Sequence, residues 1–246
     1  MNPLNLSASR IGILSTLTAP LLPRLILSLI DVGFEDICVF LDQKMMSDKD
    51  QLIWRQRTAG AFDNDPSLYD LGGHNISYYF VKSHNDESCI SEVRRLGVSL
   101  LINGGTKRKL CIEVLQSTPL GVINVHPGVL PKYRGASCVE WAIYNDERVG
   151  NTAHFMTEGY DEGPIIYSES YDFYPEDTYT SIRTRVYKES LRLMAKTVKD
   201  MFTQNLALSD GLQQGHGELF GPIPDEKMQI VLEKIKTNSY RFMRSK

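Results

Sequence analysis

The sequence predicts an α/β protein built on an open, mostly parallel β-sheet with helices on both faces. Apolar segments of strand length alternate with helical segments through the first half of the chain. These apolar runs are nearly continuous, which is typical of strands buried on both faces of a parallel sheet. With 42% hydrophobic residues in a chain of 246, the sequence can form a sizeable core. We expect one main domain over residues 1–204 and a small C-terminal extension over residues 205–246.

Each element follows from a local pattern. Strands are predicted over residues 10–15, 37–41, 78–81, 98–102, 121–126, 151–156 and 165–171. Helices are predicted over residues 19–32, 47–57, 86–96, 110–117, 136–145, 181–204 and 225–240. Pro23 near the start of the first helix and Gly33 just past its end are typical of helix termini. Ser137 and Glu140 predict a capping box for the fifth helix. Turn-forming residues predict loops over residues 60–75 and 211–224.

Composition argues against several classes of protein. The four cysteines are scattered without a C-x-x-C pair, which disfavours a zinc knot or a disulfide scaffold and leads us to expect a reducing cytoplasm. The formal net charge of −3 carries no basic signature, so no nucleic-acid partner is expected. No stretch approaches the ~20 apolar residues that span a membrane, and no signal peptide is evident. We therefore expect no membrane partner.

Two polar side chains stand at the end of the fifth predicted strand. Asn124 and His126 are two residues apart, so they point to the same face, and Pro127 ends the strand. Open α/β sheets bind ligands at the carboxyl ends of their parallel strands. A buried Asn and His satisfied by neighbouring backbone would explain an N-x-H motif equally well. A carboxylate, Asp161, follows in a loop flanked by Gly159 and Gly163, and loops carry function more often than packing.

Residues 124–166 carry a series of spaced motifs. In order they are Asn124-x-His126-Pro127, Leu130-Pro131, Tyr133-Arg134-Gly135, His154-Phe155, and Asp161 with Gly163. This series resembles the catalytic core of the formyltransferases that use 10-formyltetrahydrofolate. That family includes glycinamide ribonucleotide transformylase, methionyl-tRNA formyltransferase and the amino-sugar N-formyltransferases. The resemblance implies a Rossmann-like sheet, 10-formyltetrahydrofolate as the formyl donor, no metal, and Asn124, His126 and Asp161 as the catalytic residues of a formyltransferase domain.

The chemistry of formyl transfer suits these residue types. An amine attacks the formyl carbon, and the carbonyl oxygen becomes an oxyanion. The Asn124 amide and the His126 imidazole are able to donate hydrogen bonds to that oxygen. Asp161 is able to orient His126 and to take the proton that the amine loses, directly or through water.

The resemblance also implies where the donor binds. In the family the pterin lies between the loop after the fourth strand and the loop that carries the catalytic Asp. Donor-binding residues are therefore expected in these two loops: Gly104, Gly105, Thr106, Arg108, Leu110, Thr157, Gly159 and Tyr160. Two adjacent glycines allow the backbone to approach a flat ring closely, although on their own they indicate only a turn. Lys107, Arg108 and Lys109 are equally consistent with a solvated run of charge.

Two departures from the family pattern bear on the acceptor. The segment after the first strand, residues 15–20, lacks the glycine-rich phosphate loop of the glycinamide ribonucleotide enzymes, and neither a tRNA-binding domain nor a basic surface is evident. We therefore expect a small-molecule acceptor, and the resemblance to the amino-sugar N-formyltransferases implies a nucleotide-linked amino sugar used for surface polysaccharides. The expected acceptor-binding residues are Arg55, Arg57, Lys132, Tyr133 and Arg134. A helix C-terminus ending in glycine explains Arg55 and Arg57 without any ligand.

Three other functions stay open at this point. The acceptor could be glycinamide ribonucleotide. A hydrolase that releases formate from formyltetrahydrofolate would use the same three residues, with water in place of the amine. A nucleotide-sugar binding module without catalysis would need none of them. A homodimer formed through the C-terminal helix is a further alternative that the pattern does not decide.

Overall fold

The structure, a computed structural model, describes Leu6 and residues 9–244. The described strands are β1 Arg10–Thr16, β2 Asp36–Asp42, β3 Ile76–Val81, β4 Leu100–Asn103, β5 Val122–His126, β6 Tyr133–Gly135, β7 Gly150–Phe155, β8 Ile165–Ser170 and β9 Glu218–Phe220. The described helices are α1 Leu22–Asp31, α2 Asp48–Thr58, α3 Glu87–Arg95, α4 Ile112–Leu115, α5 Cys138–Tyr144, α6 Tyr179–Thr203 and α7 Asp225–Lys236. Two short 3₁₀ helices, Leu68–Leu71 and Leu208–Asp210, lie in the connections.

Seven strands form one sheet in the order β3-β2-β1-β4-β5-β7-β8. The first five are mutually parallel, whereas β7 is antiparallel to both β5 and β8. The prediction of a mostly parallel α/β sheet is therefore confirmed. The chain leaves β1 toward β2 on one side and later returns to β4 on the other, so the strand order reverses between β1 and β4. In open sheets such a reversal opens a crevice beyond the carboxyl ends of the strands.

Local sequence explains the helices that border this crevice. Pro23 lies in the first turn of α1, and Gly33 after its end has φ +106°, a conformation that favours glycine. The apolar face of α1 is buried through Leu22, Leu25, Ile26 and Leu29. Burying a side chain of this size contributes about 1.5–3 kcal/mol. In α2, Ser47 and Asp50 form a reciprocal capping box, as their spacing predicts.

Three expectations about local structure are wrong. Ser137 does not cap α5: it has φ +54°, and its Oγ accepts from the Arg57 Nη2 at 3.3 Å rather than from the helix backbone. The Glu140 carboxylate contacts Arg57 and Arg183 instead of completing a capping box. Residues 218–220, within the loop predicted over residues 211–224, form β9 and pair in parallel with β6. The last helix ends at Lys236 rather than Tyr240, and the buried Tyr240 donates a hydrogen bond from Oη to the Glu147 carbonyl.

The hydrophobic core covers both faces of the sheet. One cluster packs α1 and α6 against one face, and a second packs α3 and α4 against the other. A third cluster joins α5 to α7, where Val231 and Ile235 of the C-terminal extension are buried beside Val139 and Ile143. Among the described residues, we find no helix with the length and apolar character needed to cross a membrane.

Candidate active site

A cleft of about 340 Å³ opens at the carboxyl ends of the central strands, where the strand order reverses. Its floor includes Asn103 and Gly104 at the end of β4 and Asn124 on β5. Its walls come from the chain that follows β1 and from helices α2 and α6. The strand that carries Asn124 therefore meets a cleft at the position that open α/β sheets use for ligands.

The side chain of Asn124 is oriented by two neighbours. Its Oδ1 accepts a hydrogen bond of 3.1 Å from Nδ2 of Asn103. Its Nδ2 lies 3.2 Å from Nε2 of His154, the residue directly opposite on β7. Because the His154 Nδ1 lies 2.8 Å from the Phe155 carbonyl, that nitrogen carries the proton and Nε2 accepts. An amide has two N–H groups, so one N–H of Asn124 remains for a ligand in the cleft.

His126 is buried, and both ring nitrogens have partners. Nε2 lies 2.8 Å from the Tyr133 carbonyl, and Nδ1 lies 3.2 Å from Oδ2 of Asp161. Gly128 permits this placement, since a Cβ there would lie 2.6 Å from the His126 Nε2. Burial lowers the pKa of His126 despite the nearby Asp161 carboxylate. A neutral ring keeps its proton on Nε2 toward the carbonyl, so Nδ1 presents a lone pair to Asp161.

Asp161 completes the group that the sequence predicted. Its Oδ2 accepts a hydrogen bond of 2.9 Å from the Gly135 amide, and its Oδ1 lies 3.5 Å from the His154 Nε2. Burial would raise the pKa of Asp161, but the N–H of a protonated His154, the charge of a protonated His126 and the Gly135 amide bring it below its ordinary value. The carboxylate is therefore ionised and faces an unprotonated nitrogen of His126. The pair can bind one further proton between the Asp161 Oδ2 and the His126 Nδ1.

Two residues of this site were missed by sequence reasoning. His154 contacts both Asn124 and Asp161, yet the sequence marks it only as part of the H-F motif. Its position opposite Asn124 follows from the antiparallel pairing of β5 and β7. Gln214 holds the loop of Asp161, because its Nε2 donates to the carbonyls of Asp161 (3.0 Å) and Gly163 (2.5 Å). No local pattern marks Gln214, which lies in a predicted loop of the C-terminal extension.

The expected donor-binding residues of the first loop divide into two groups. Gly104 and Gly105 line the cleft, and Gly105 has φ +100°. The others turn toward β2. Thr106 Oγ1 lies 2.7 Å from Nδ1 of the buried His84, and Arg108 forms an ion pair with the buried Asp42, with Nη2 3.0 Å from Oδ1. Leu110 is buried in the core.

The second loop is open to solvent at its tip. Thr157 is exposed, and Tyr160 is 58% exposed with the Lys109 Nζ over its ring at 5.4 Å from the ring centroid. Gly159 lies between these two residues and packs beside the Glu162 side chain. The Lys109–Tyr160 contact joins the loop after β4 to the loop of Asp161, so the two loops that were predicted to enclose the donor are neighbours.

The structure separates the five expected acceptor-binding residues. Of these, Arg57 alone lines the cleft, and Arg55 is exposed on α2. Lys132 pairs with Glu147 at 2.6 Å. The Tyr133 side chain is buried and stacks on Phe220, while its carbonyl faces His126. Arg134 donates from Nη2 to the Gly215 carbonyl at 2.9 Å and braces the C-terminal extension.

The cleft also has an aromatic wall that the sequence did not reveal. Trp54 on α2 and Tyr187 on α6 both line it, with ring centroids 4.9 Å apart. Phe62 packs behind Trp54 at a centroid distance of 5.4 Å. Aromatic faces of this kind pack against sugar and base rings. Within the described part of the chain, no three His, Cys, Asp or Glu side chains are placed to hold a metal ion.

Comparison with a family model and with known sequences indicates the same family. Residues 28–198 match the family model described as "Formyl transferase". The methionyl-tRNA formyltransferase of Alkaliphilus oremlandii is 29% identical over 171 residues, which cover 69% of this chain and 52% of that protein. The chain therefore spans about half the length of this curated relative.

Solved structures share the fold at low sequence identity. Phosphoribosylglycinamide formyltransferase from Bacillus halodurans has a TM-score of 0.60 and 17% identity, with 80% of this chain and 97% of that chain covered. The N-formyltransferase from Helicobacter canadensis, solved with folinic acid and dTDP-3-aminofucose, has a TM-score of 0.60 and 16% identity, with 89% and 72% covered. At these identities the likeness concerns the fold alone.

Proposed function

The chain belongs to the formyl transferase family, and from this premise we propose that it transfers the formyl group of 10-formyltetrahydrofolate to a primary amine on a nucleotide-linked amino sugar. The observation that carries the proposal is the oriented Asn124 amide on the cleft, beside the coupled pair of His126 and Asp161. These are the groups that acyl transfer without a covalent enzyme intermediate requires: a donor for the oxyanion and an acceptor for the proton.

In this proposal the Asn124 amide donates a hydrogen bond to the oxyanion. Asn103 and His154 hold the amide in one orientation, so its remaining N–H is ready when charge develops on the formyl oxygen. Such preorganised donors stabilise a transition state without reorganising during the reaction. The backbone of Gly104 and Gly105 lines the same cleft, and glycines permit a flat pterin to approach closely. The residues present therefore fit the proposed donor.

His126 and Asp161 receive the proton. The new bond joins the amine nitrogen to the formyl carbon, and the bond from that carbon to the folate nitrogen breaks. The amine loses one proton, which the Asp161 carboxylate accepts and shares with the His126 Nδ1, 3.2 Å from its Oδ2. The same proton then neutralises the departing folate nitrogen. Since both ring nitrogens of His126 have protein partners, we assign the proton to the pair of Asp161 and His126 and the oxyanion to Asn124.

The choice of acceptor draws support from the cleft. Trp54 and Tyr187 supply aromatic faces for a sugar or base, and Arg57 supplies a positive charge. The Helicobacter canadensis neighbour was solved with a nucleotide-linked amino sugar. On this proposal the enzyme acts in the cytoplasm on precursors of surface polysaccharides.

A competition assay tests the acceptor. With equal 10-formyltetrahydrofolate, we expect turnover of an amino-sugar nucleotide and none of initiator methionyl-tRNA, because tRNA binding requires clustered basic residues and this chain has a net charge of −3. The products are identified by mass spectrometry. Preferred turnover of glycinamide ribonucleotide would replace the proposed acceptor. Formate release at the same rate without any amine would make the protein a hydrolase.

Asn103 is proposed as a positioning residue, and Asn103→Asp tests this role. The aspartate oxygen still accepts from the amides of Gly105 and Thr106, which lie 3.0 and 3.1 Å from the native Oδ1. It has no proton to donate to Asn124, so we expect kcat to fall about tenfold, the effect of losing one hydrogen bond.

KM for the donor and the melting temperature are measured beside kcat. Both should change little, since the loop keeps its acceptor. A fall in kcat for Asn103→Ala alone, with Asn103→Asp fully active, would assign Asn103 to loop structure only.

A further inference from the structure

A buried group of charged side chains lies behind one wall of the cleft. Arg57 on α2 reaches Glu140 on α5, with Nε 3.3 Å from Oε1, and its Nη2 lies 3.3 Å from the Ser137 Oγ. The Arg57 side chain is 22% exposed and lines the cleft. It therefore joins a buried network at one end and faces the ligand space at the other.

Glu140 is the anion at the centre of this network. Its side chain is 1% exposed, and its Oε1 accepts a hydrogen bond of 2.5 Å from the Tyr179 Oη. Burial would raise the pKa of Glu140, but Arg183 and Arg57 bring it below its ordinary value. The carboxylate is therefore ionised. Its second oxygen, Oε2, is buried without a hydrogen-bond partner among the described residues.

Arg183 on α6 is the second cation. It is 2% exposed, and its Nε lies 3.7 Å from the Glu140 Oε1. Its Nη2 donates to the Tyr187 Oη at 2.5 Å, and its guanidinium lies over the Tyr187 ring at 4.7 Å from the ring centroid. Tyr187 itself forms part of the cleft wall. Arg183 thus supports the aromatic wall from behind and adds positive charge close to it.

The charges of this network do not cancel. Two guanidinium cations share one carboxylate, which leaves a formal charge of +1 in a largely buried setting. Elsewhere on the cleft, Lys107 lies 3.7 Å from Asp50, so those two charges offset each other. An uncompensated charge removed from water is unfavourable unless a counter-ion reaches it. The cleft side of Arg57 is where a ligand anion has access.

We propose that Arg57, backed by Arg183 and Glu140, is the subsite that binds an anionic group of the acceptor, a phosphate or a carboxylate. The guanidinium fork suits either anion, since it presents parallel N–H donors. Trp54, one turn before Arg57 on α2, flanks the same wall and packs against the ring that carries the anion. This inference rests on the proposed function, because it takes the anion to be part of the amine substrate.

Direct binding of small anions tests the subsite without requiring turnover. Inorganic pyrophosphate and malonate are titrated into the full chain by calorimetry, so that phosphate and carboxylate recognition are compared. We expect Arg57→Gln to weaken the preferred anion roughly ten- to hundredfold, the effect of losing charge-assisted hydrogen bonds. Arg94→Gln removes the same charge from an exposed position on α3 and should change affinity by less than about twofold.

Three further measurements make the result decisive. Arg57→Lys keeps the charge but loses the planar fork, so its affinity should fall between wild type and Arg57→Gln. Asn124→Ala should bind the anion as the wild type does, which separates the subsite from the chemistry. Melting temperatures identify any variant that fails to fold, and Arg57→Lys then replaces Arg57→Gln as the test.

The inference and the proposed function fail in different ways. Equal anion affinity in wild type, Arg57→Gln and Arg57→Lys, with turnover of an amino-sugar nucleotide intact, would overturn the subsite and leave the function standing. Loss of anion binding confined to the Arg57 variants, in a protein that formylates no amine offered, would support the subsite and overturn the acceptor proposed above.

Discussion

Replacing Asn124 with alanine is expected to lower formyl transfer about 10²–10³-fold, the usual effect of removing one oxyanion donor. One N–H of this amide is directed at His154, and the truncation removes the other N–H, which faces the reacting oxygen. The fold should persist, because Asn124 is only partly buried. Single-turnover rates with 10-formyltetrahydrofolate and the preferred amine measure the effect.

Asn124→Asp is the matched variant of nearly the same shape. Its carboxylate would repel both the developing oxyanion and the nearby Asp161, so we expect it to be at least as slow as the alanine variant. Asn103 still donates to an aspartate oxygen, which keeps the side chain in place. Turnover close to wild type in Asn124→Ala would remove Asn124 from the oxyanion role.

The parallel half of the fold was predictable because its signals are local. A buried parallel strand is a short apolar run, and residues 37–41 and 98–102 carry that signal within a few positions. The strands β2 and β4 overlap the positions that these apolar runs predict. The short strands β6 and β9 have three residues each, too few to show a period. Their pairing depends on chain segments far apart in sequence, which no local window contains.

The sequence predicted those residues of the candidate site that belong to the motif series of residues 124–166. The structure brings Asn124, His126 and Asp161 to one end of the sheet. His154 was not predicted to act, because its contact with Asn124 follows from strand pairing rather than from residue type. Glu140 was read as a helix cap, the local use of an acidic residue at that spacing. Its actual partners, Arg57 and Arg183, come from two other helices.

Arg108 is a charged loop residue whose partner likewise could not be predicted from the sequence. The family resemblance placed it among the donor contacts, and a solvated charge run was the alternative. In the structure its guanidinium is paired with the buried Asp42 at the end of β2. Asp42 also accepts from the His84 amide at 3.1 Å. The choice among these partners depends on which strands are neighbours, so residue type and spacing do not determine it.

Asp161→Asn is expected to reduce formyl transfer about 10²–10⁴-fold, the range for losing a general base, while the fold is kept. An asparagine oxygen still accepts from the Gly135 amide, which lies 2.9 Å from the native Oδ2. The amide nitrogen then takes the Oδ1 position, 3.5 Å from the His154 Nε2, because Oδ2 faces both the Gly135 amide and the His126 Nδ1. A neutral carboxamide neither accepts the proton of the amine nor stabilises it on His126, so the variant loses the base.

Two measurements separate this role from a structural one. Calorimetric affinity for folinic acid, a stable analogue of the donor, should stay near the wild-type value while kcat falls. A parallel loss of affinity and rate would make Asp161 a donor ligand or a structural residue. Asp161→Ala serves as the disruptive control, because it removes the acceptor of the Gly135 amide as well as the base.

The dependence of stability on pH gives an independent test of the same carboxylate. The native contacts lower the pKa of Asp161, so the folded protein binds its proton more weakly than the unfolded chain does. The resulting stabilisation is fully present above the ordinary carboxyl pKa of about 3.9 and is lost as pH falls toward the lower native value. Asp161→Asn cannot titrate, so its melting temperature should fall less than that of the wild type below about pH 4. Equal acid sensitivity in the two proteins would show that Asp161 is not held ionised by His154, His126 and the Gly135 amide.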